Sequence, residues 1–145
     1  ANEFHLRFSI EHCTDGYLIV DELVRNHVQC LLGPTVGGKG KIEARNKTFK
    51  AGQILENAGI TFGLITDAPF VPIEGQLLQA ALYVKNGLSR EMALKCLTIN
   101  NAIITDIDSR VGSLEPGKDA DIVIIDGQIA YRRKAGESNV DYQKL

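Results

Sequence analysis

Apolar and polar positions alternate over residues 6–12, with Leu6, Phe8, Ile10 and His12 in one phase and Arg7, Ser9 and Glu11 in the other. A period of two predicts a short strand ending at a polar tip. Over residues 15–27 the period lengthens, and Leu18, Ile19 and Leu23, flanked by Val20 and Val24, recur at helical spacing. Residues 28–32 are an apolar run bounded by Gly33 and Pro34, which predicts a second strand. After a loop over 34–41, Ala51, Ile54, Leu55 and Ala58 share one helical face, and Gly59 stands where a C-cap belongs. Residues 60–66 read as a third strand that runs into Asp67 and Pro69. A helix from about Gly75 to Asn86 closes at Gly87, Ser89 caps the next, and the helical stretch ends near Ile104.

Strands alternating with helices of about a dozen residues imply an α/β fold built on a parallel sheet with right-handed crossovers. Past Ile104 the character changes. Glu115, Pro116, Gly117 and Lys118 have type II turn chemistry, and residues 121–126 and 128–132 read as strands. From Gly136 onward the composition is that of a weakly ordered tail. The expected division is therefore an α/β unit over 1–108 and a small β element over 109–145.

Composition narrows the function classes. The 145 residues carry sixteen basic and eighteen acidic side chains, a formal net charge of -2, so no global field draws the chain to nucleic acid or to an anionic membrane. Small molecules or other chains are the expected partners. The apolar run Ile122, Val123, Ile124, Ile125 is far too short to span a bilayer, and no basic-then-apolar leader opens the sequence, so a cytoplasmic location is expected. Cys13, Cys30 and Cys96 are odd in number and widely spaced, which predicts buried free thiols rather than disulfides or a zinc knuckle.

In parallel α/β folds, functional side chains collect at the carboxyl ends of the strands. Here the first strand ends in Glu11, His12, Cys13 and Thr14, the second in Gly33, Pro34 and Thr35, and the third in Thr66, Asp67, Ala68 and Pro69. A neutral imidazole and a carboxylate from neighbouring strand ends can share a divalent ion, and the carboxylate can take a proton from water. Spacing alone leaves His12 open between a hydrogen-bonded loop residue and a ligand, and Asp67 open between a turn residue and a ligand. A rival pattern runs from Gly33 to Gly40, close to a phosphate-binding loop, but Gly40 stands where a hydroxyl is needed and no helix follows Lys39 directly. The other reading of that stretch is a mobile glycine-rich loop with Lys39 and Lys41 solvated.

Several stretches, in order, resemble the amidohydrolase superfamily of metal-dependent hydrolases, in its imidazolonepropionase-like and Xaa-Pro dipeptidase-like branch. They are Ile10-Glu11-His12; Gly33-Pro34 followed by Lys41-Ile42-Glu43, Asn46 and Phe49; Ala58-Gly59-Ile60; and Ile65-Thr66-Asp67-Ala68-Pro69. Ala93-Leu94 with Thr98 and Asn100, and then the run over 110–123 containing Gly112-Ser113-Leu114-Glu115-Pro116-Gly117-Lys118-Asp119-Ala120-Asp121, complete the pattern. The resemblance implies strands six to eight of a (β/α)8 TIM-type barrel, followed by part of a flanking β-sandwich. It implies that Asp67 binds metal and serves as general base and acid, and that His12 binds metal or contacts substrate. The implied reaction is hydrolysis of a C–N bond in an amide, cyclic amide or dipeptide by metal-activated water, with zinc, iron or manganese as cofactor.

A complete member of that family also carries a His-x-His pair on strand one, a lysine or its equivalent on strand four and a histidine on strand five. None of these lies in this sequence. His5 is expected at the far end of the His12 strand, and His27 at a helix end as a surface or capping residue. The run from Asp121 to Gly127 passes straight into Gln128, where the family usually inserts a further strand. On this reading the chain is inactive alone and associates, with itself or with missing N-terminal segments, through exposed barrel edges.

Overall fold

The computed structural model describes residues 2–125, 130–133 and 141–143. Its first sheet has three parallel strands in the order β1 (Ser9–Ile10), β2 (Gln29–Leu32) and β3 (Phe62–Leu64). Helix α1 (Val20–Arg25) connects the first two strands, and α2 (Ala51–Asn57) connects the second and third. These are the two strand–helix–strand units that the change of period predicts. Three of four residues in β2 and all of β3 are buried, as a parallel sheet covered on its faces requires.

The first strand is shorter than the alternation over 6–12 predicts. Only Ser9 and Ile10 pair, opposite Gln29 and Cys30. Upstream of Gln29 the backbone is still leaving α1, with His27 in the left-handed region at φ 51, so nothing extended lies opposite residues 6–8. Phe4, Leu6 and Phe8 stay exposed along that flank. His5 lies in a turn before the strand, and His27 is the exposed helix-stop residue expected of it.

After β3 come α3 (Gln76–Lys85), α4 (Arg90–Leu97) and α5 (Ile99–Ile104). Gly59 at φ 70 and Gly87 at φ 108 end α2 and α3 where the pattern placed them, and the Ser89 hydroxyl accepts the Met92 N–H at 3.0 Å as the N-cap of α4. The core joins sheet and helices through Leu23, Leu32, Leu55, Phe62, Leu64 and Tyr83. Among the described residues no other strand covers the outer edge of β3, and side chains meet its carbonyls instead. The Asn100 amide and the Cys96 thiol donate to Phe62 O at 2.8 and 3.1 Å, while Gln76 and Asn101 donate to Leu64 O at 2.6 and 3.2 Å.

All three cysteines are buried and free, as expected. Cys13 and Cys30 share a hydrogen bond, which together with burial pushes the Cys30 thiol up. Burial pushes Cys96 up to about 12. A thiol that ionises near 9.0 when unfolded but near 12 when folded stabilises the fold fully below the unfolded value and progressively less as pH rises toward the folded one. Thermal unfolding followed from pH 8 to 11 is expected to show the melting temperature falling above about pH 9, with a shallower fall in Cys96→Ala. Identical slopes in the two proteins would remove Cys96 as the cause.

The second sheet is antiparallel, with β4 (Ile122–Ile125), β5 (Ala130–Arg133) and β6 (Asp141–Gln143) in sequence order. The turn before it is type II, with Gly117 at φ 92 and the Lys118 N–H donating to Glu115 O at 3.2 Å. Within the tail expected to be weakly ordered from Gly136, residues 141–143 pair with β5 in register, Tyr142 opposite Tyr131, and residues 136–140, 144 and 145 lie outside the described residues. A strand is recruited by its partner's free edge as much as by its own composition. Gln128 and Ile129, at the start of the predicted 128–132 strand, lie outside the described residues.

Candidate metal centre

The carboxyl ends of all three parallel strands converge. Past β1, the Cys13 N–H donates to Leu31 O at 3.1 Å and holds the strand end against β2. His12, just before it, sits at φ 53. Past β3, the Ile65 N–H donates to Leu32 O at 3.2 Å, and two residues later Asp67 also sits at φ 53. A side chain other than glycine is uncommon in that region, though aspartate and histidine enter it more readily than most, and His5, His27 and Asp106 share it elsewhere in the chain. His12 Nε2 and Asp67 Oδ2 are 4.0 Å apart, with both side chains half exposed.

The ring has a defined orientation. His12 Nδ1 lies 3.2 Å from Gly33 O. A carbonyl only accepts, so in the neutral ring the proton is on Nδ1 and the lone pair is on Nε2, the nitrogen facing Asp67. At 4.0 Å the two groups are too far apart for a direct hydrogen bond. Two ligands at roughly 2.1 Å from a tetrahedral ion stand about 3.4 Å from one another, so a small rotation of either side chain brings this lone pair and carboxylate oxygen onto one cation. The donors fit a divalent metal, and backing the ring by a carbonyl is how metal-binding histidines are usually held. Among the described residues no group of three or more His, Cys, Asp or Glu forms a fuller set of ligands.

The sequence-predicted pair is thus brought together, and the rival phosphate loop is not. Gly38 and Gly40 stand in open space, and the next helix, α2, begins only at Ala51. Two residues that the pattern did not single out lie at the strand ends. Gln79 and Tyr83 are wholly buried on α3, and both bond to Thr35. Their spacing of four along a helix was the available signal. Lys47 is buried in the loop after β2, and burial, with the nearby charge of Lys39, lowers its pKa.

Residues 8–144 match the Amidohydrolase family. The chain belongs to that family. An amidohydrolase crystal structure from Thermotoga maritima aligns over 99% of this chain and 36% of its own, with 31% identity and a TM-score of 0.83. A second amidohydrolase crystal structure aligns over 95% of this chain and 40% of its own with a TM-score of 0.68, and at 17% identity it supports the fold alone. Among curated proteins, an imidazolonepropionase of Picrophilus torridus is 51% identical over 39 residues, 27% of this chain and 10% of the relative. The amidohydrolase tasK of Hapsidospora irregularis is 34% identical over 86 residues, 59% of this chain and 9% of the relative. The chain therefore spans about a tenth of the length of these curated relatives and 36% and 40% of the two solved chains. Metal-dependent hydrolysis is general to the family, and the structural likeness implies a TIM-barrel-type fold around the parallel sheet. Among the described residues no helix is long and apolar enough to cross a membrane.

Proposed function

We propose that this chain supplies strands six to eight of a (β/α)8 amidohydrolase barrel over 1–108, with sandwich strands over 109–145, and that the assembled protein hydrolyses a C–N bond. The carrying observation is the His12 lone pair facing the Asp67 carboxylate across 4.0 Å at the barrel-mouth end of the sheet. These two residues would hold one divalent ion in this chain by itself, and in the assembled protein further ligands would join them from outside it. Imidazole with carboxylate suits zinc, iron and manganese, of which zinc is the first choice. An ion held by His12 and Asp67 would supply Lewis-acid polarisation of the scissile carbonyl and would make water more acidic. Asp67, half exposed, then takes a proton from attacking water and delivers it to the departing nitrogen. His12 is held in place by Gly33 O. Cyclic amides, N-acyl amino acids and dipeptides are the substrate classes, and the three free thiols fit a reducing cytoplasm.

Association with the rest of a barrel follows from both flanks. Beside β1, Phe4, Leu6 and Phe8 are exposed, and beside the open edge of β3 the buried amide oxygens of Gln76 and Asn101 meet no donor among the described residues. An incoming strand supplies both apolar cover and N–H groups.

Equilibrium dialysis against zinc tests the site. One zinc per chain is expected to bind saturably to the purified protein and to be lost in both Asp67→Ala and His12→Ala. Equal, non-saturating zinc in all three proteins would overturn the assignment.

A further inference from the structure

Helix α3 turns two polar side chains, Gln79 and Tyr83, into complete burial. The Gln79 amide spans two strand ends. Its Oε1 accepts the Thr35 N–H at 2.9 Å, and its Nε2 donates to Ile65 O at 2.8 Å. The partners fix which way the amide faces, because a backbone N–H only donates and a carbonyl only accepts. One helical turn on, the Tyr83 and Thr35 hydroxyls share a further hydrogen bond. Thr35 stands two residues after Gly33, whose carbonyl orients His12, and Ile65 stands two residues before Asp67.

We propose that Gln79 is a positioning residue of the metal centre, its buried amide setting the separation of the two strand ends and through it the gap between His12 and Asp67. The inference rests on the reading of those two residues as a metal-binding pair. Packing alone does not call for glutamine here. An apolar side chain of the same length fills the space but leaves the Thr35 N–H and Ile65 O without their partner in a dry environment. Gly33 is pressed so close to this linkage that a Cβ on it would lie 2.3 Å from Ile65 O and 3.1 Å from Gln79 Nε2. Asp67 follows directly on one of the strand ends that this amide ties together, and His12 is bonded to the other through Gly33 O, so slack between those ends passes to the two side chains. Productive metal geometry tolerates displacements of only about 0.5 Å.

The test compares wild type with Gln79→Met, which lacks both hydrogen bonds, and Gln79→Glu, which keeps the acceptor for Thr35 but sets an oxygen against Ile65 O. Tyr83→Phe serves as control, since it removes the neighbouring bond and leaves the Gln79 amide intact. The long-range ¹H–¹⁵N spectrum of the His12 imidazole, recorded above the ordinary imidazole pKa, reads the arrangement without any metal. Wild type and Tyr83→Phe are expected to show a single tautomer protonated on Nδ1, and both Gln79 variants a mixture. Zinc dissociation constants, taken well below each melting temperature, are expected to rise roughly 10- to 100-fold in the Gln79 variants only. A lowered melting temperature with an unchanged His12 spectrum would make Gln79 merely structural and overturn the proposal, as would a wild-type spectrum without the Nδ1–H form. Failure of the metal reading registers separately, as absence of saturable zinc in wild type, whatever the imidazole spectra show.

Discussion

Gly33→Ala is expected to destabilise the chain by about 4 kcal/mol or more, a large share of the roughly 5–15 kcal/mol that holds a domain of this kind together. Two causes act at once. Gly33 sits at φ 132, a conformation that side chains with a Cβ rarely adopt, and that Cβ would lie 2.3 Å from the Ile65 carbonyl oxygen. The oxygen is backbone and is itself held by Gln79 at 2.8 Å, so it cannot step aside without breaking the strand-end linkage. Gly38→Ala is the control a few residues on, where nothing lies within 4 Å of the added methyl and φ is not in the left-handed region. There the change is expected to stay within about 0.5 kcal/mol. Denaturant unfolding of the two variants beside wild type measures the difference. Equal, small losses would mean that the strand ends do not approach as closely as the structure has them.

The strand–helix alternation was legible because burial writes its period into the sequence, two for strands and near 3.6 for helices. It placed β2, α2, β3 and α3 close to where they lie. It overextended β1, because alternation records which way side chains point but not whether a partner backbone runs alongside, and residues 6–8 have none. For the same reason it passed over β6, whose pairing with β5 depends on a neighbouring edge.

The candidate site divided along similar lines. His12 and Asp67 could be picked out because strand ends in parallel folds are where chemistry gathers. Their left-handed backbone could not, since aspartate and histidine enter that region more often than most side chains but still only at a minority of positions, and nothing in the local pattern says which. Gln79 was hidden differently. A polar residue in a helical pattern reads as solvent-facing, and only the tertiary packing shows that its amide faces two strand ends rather than water.

Backbone strain at the centre leads to the second large effect, expected from Asp67→Asn. Asparagine keeps the shape of aspartate and tolerates φ near 53 better than most side chains, so stability without metal is expected to hold or rise by a few tenths of a kcal/mol. The same change removes the negative charge and the proton-accepting oxygen, and is expected to weaken zinc binding by at least about 100-fold, the upper end of what even outer partners of a metal site contribute. Thermal unfolding with and without zinc reads both effects. At a zinc concentration about 100 times the wild-type dissociation constant, binding stabilises wild type by about 2.7 kcal/mol, a rise in melting temperature on the order of 8 °C, while the variant gains only about 1 °C. Equal shifts in the two proteins would remove Asp67 from the site. A variant that is as stable as wild type but deaf to zinc would show that aspartate occupies this strained position for its charge, at the expense of the local backbone, and that the fold around it was assembled to hold that charge toward His12.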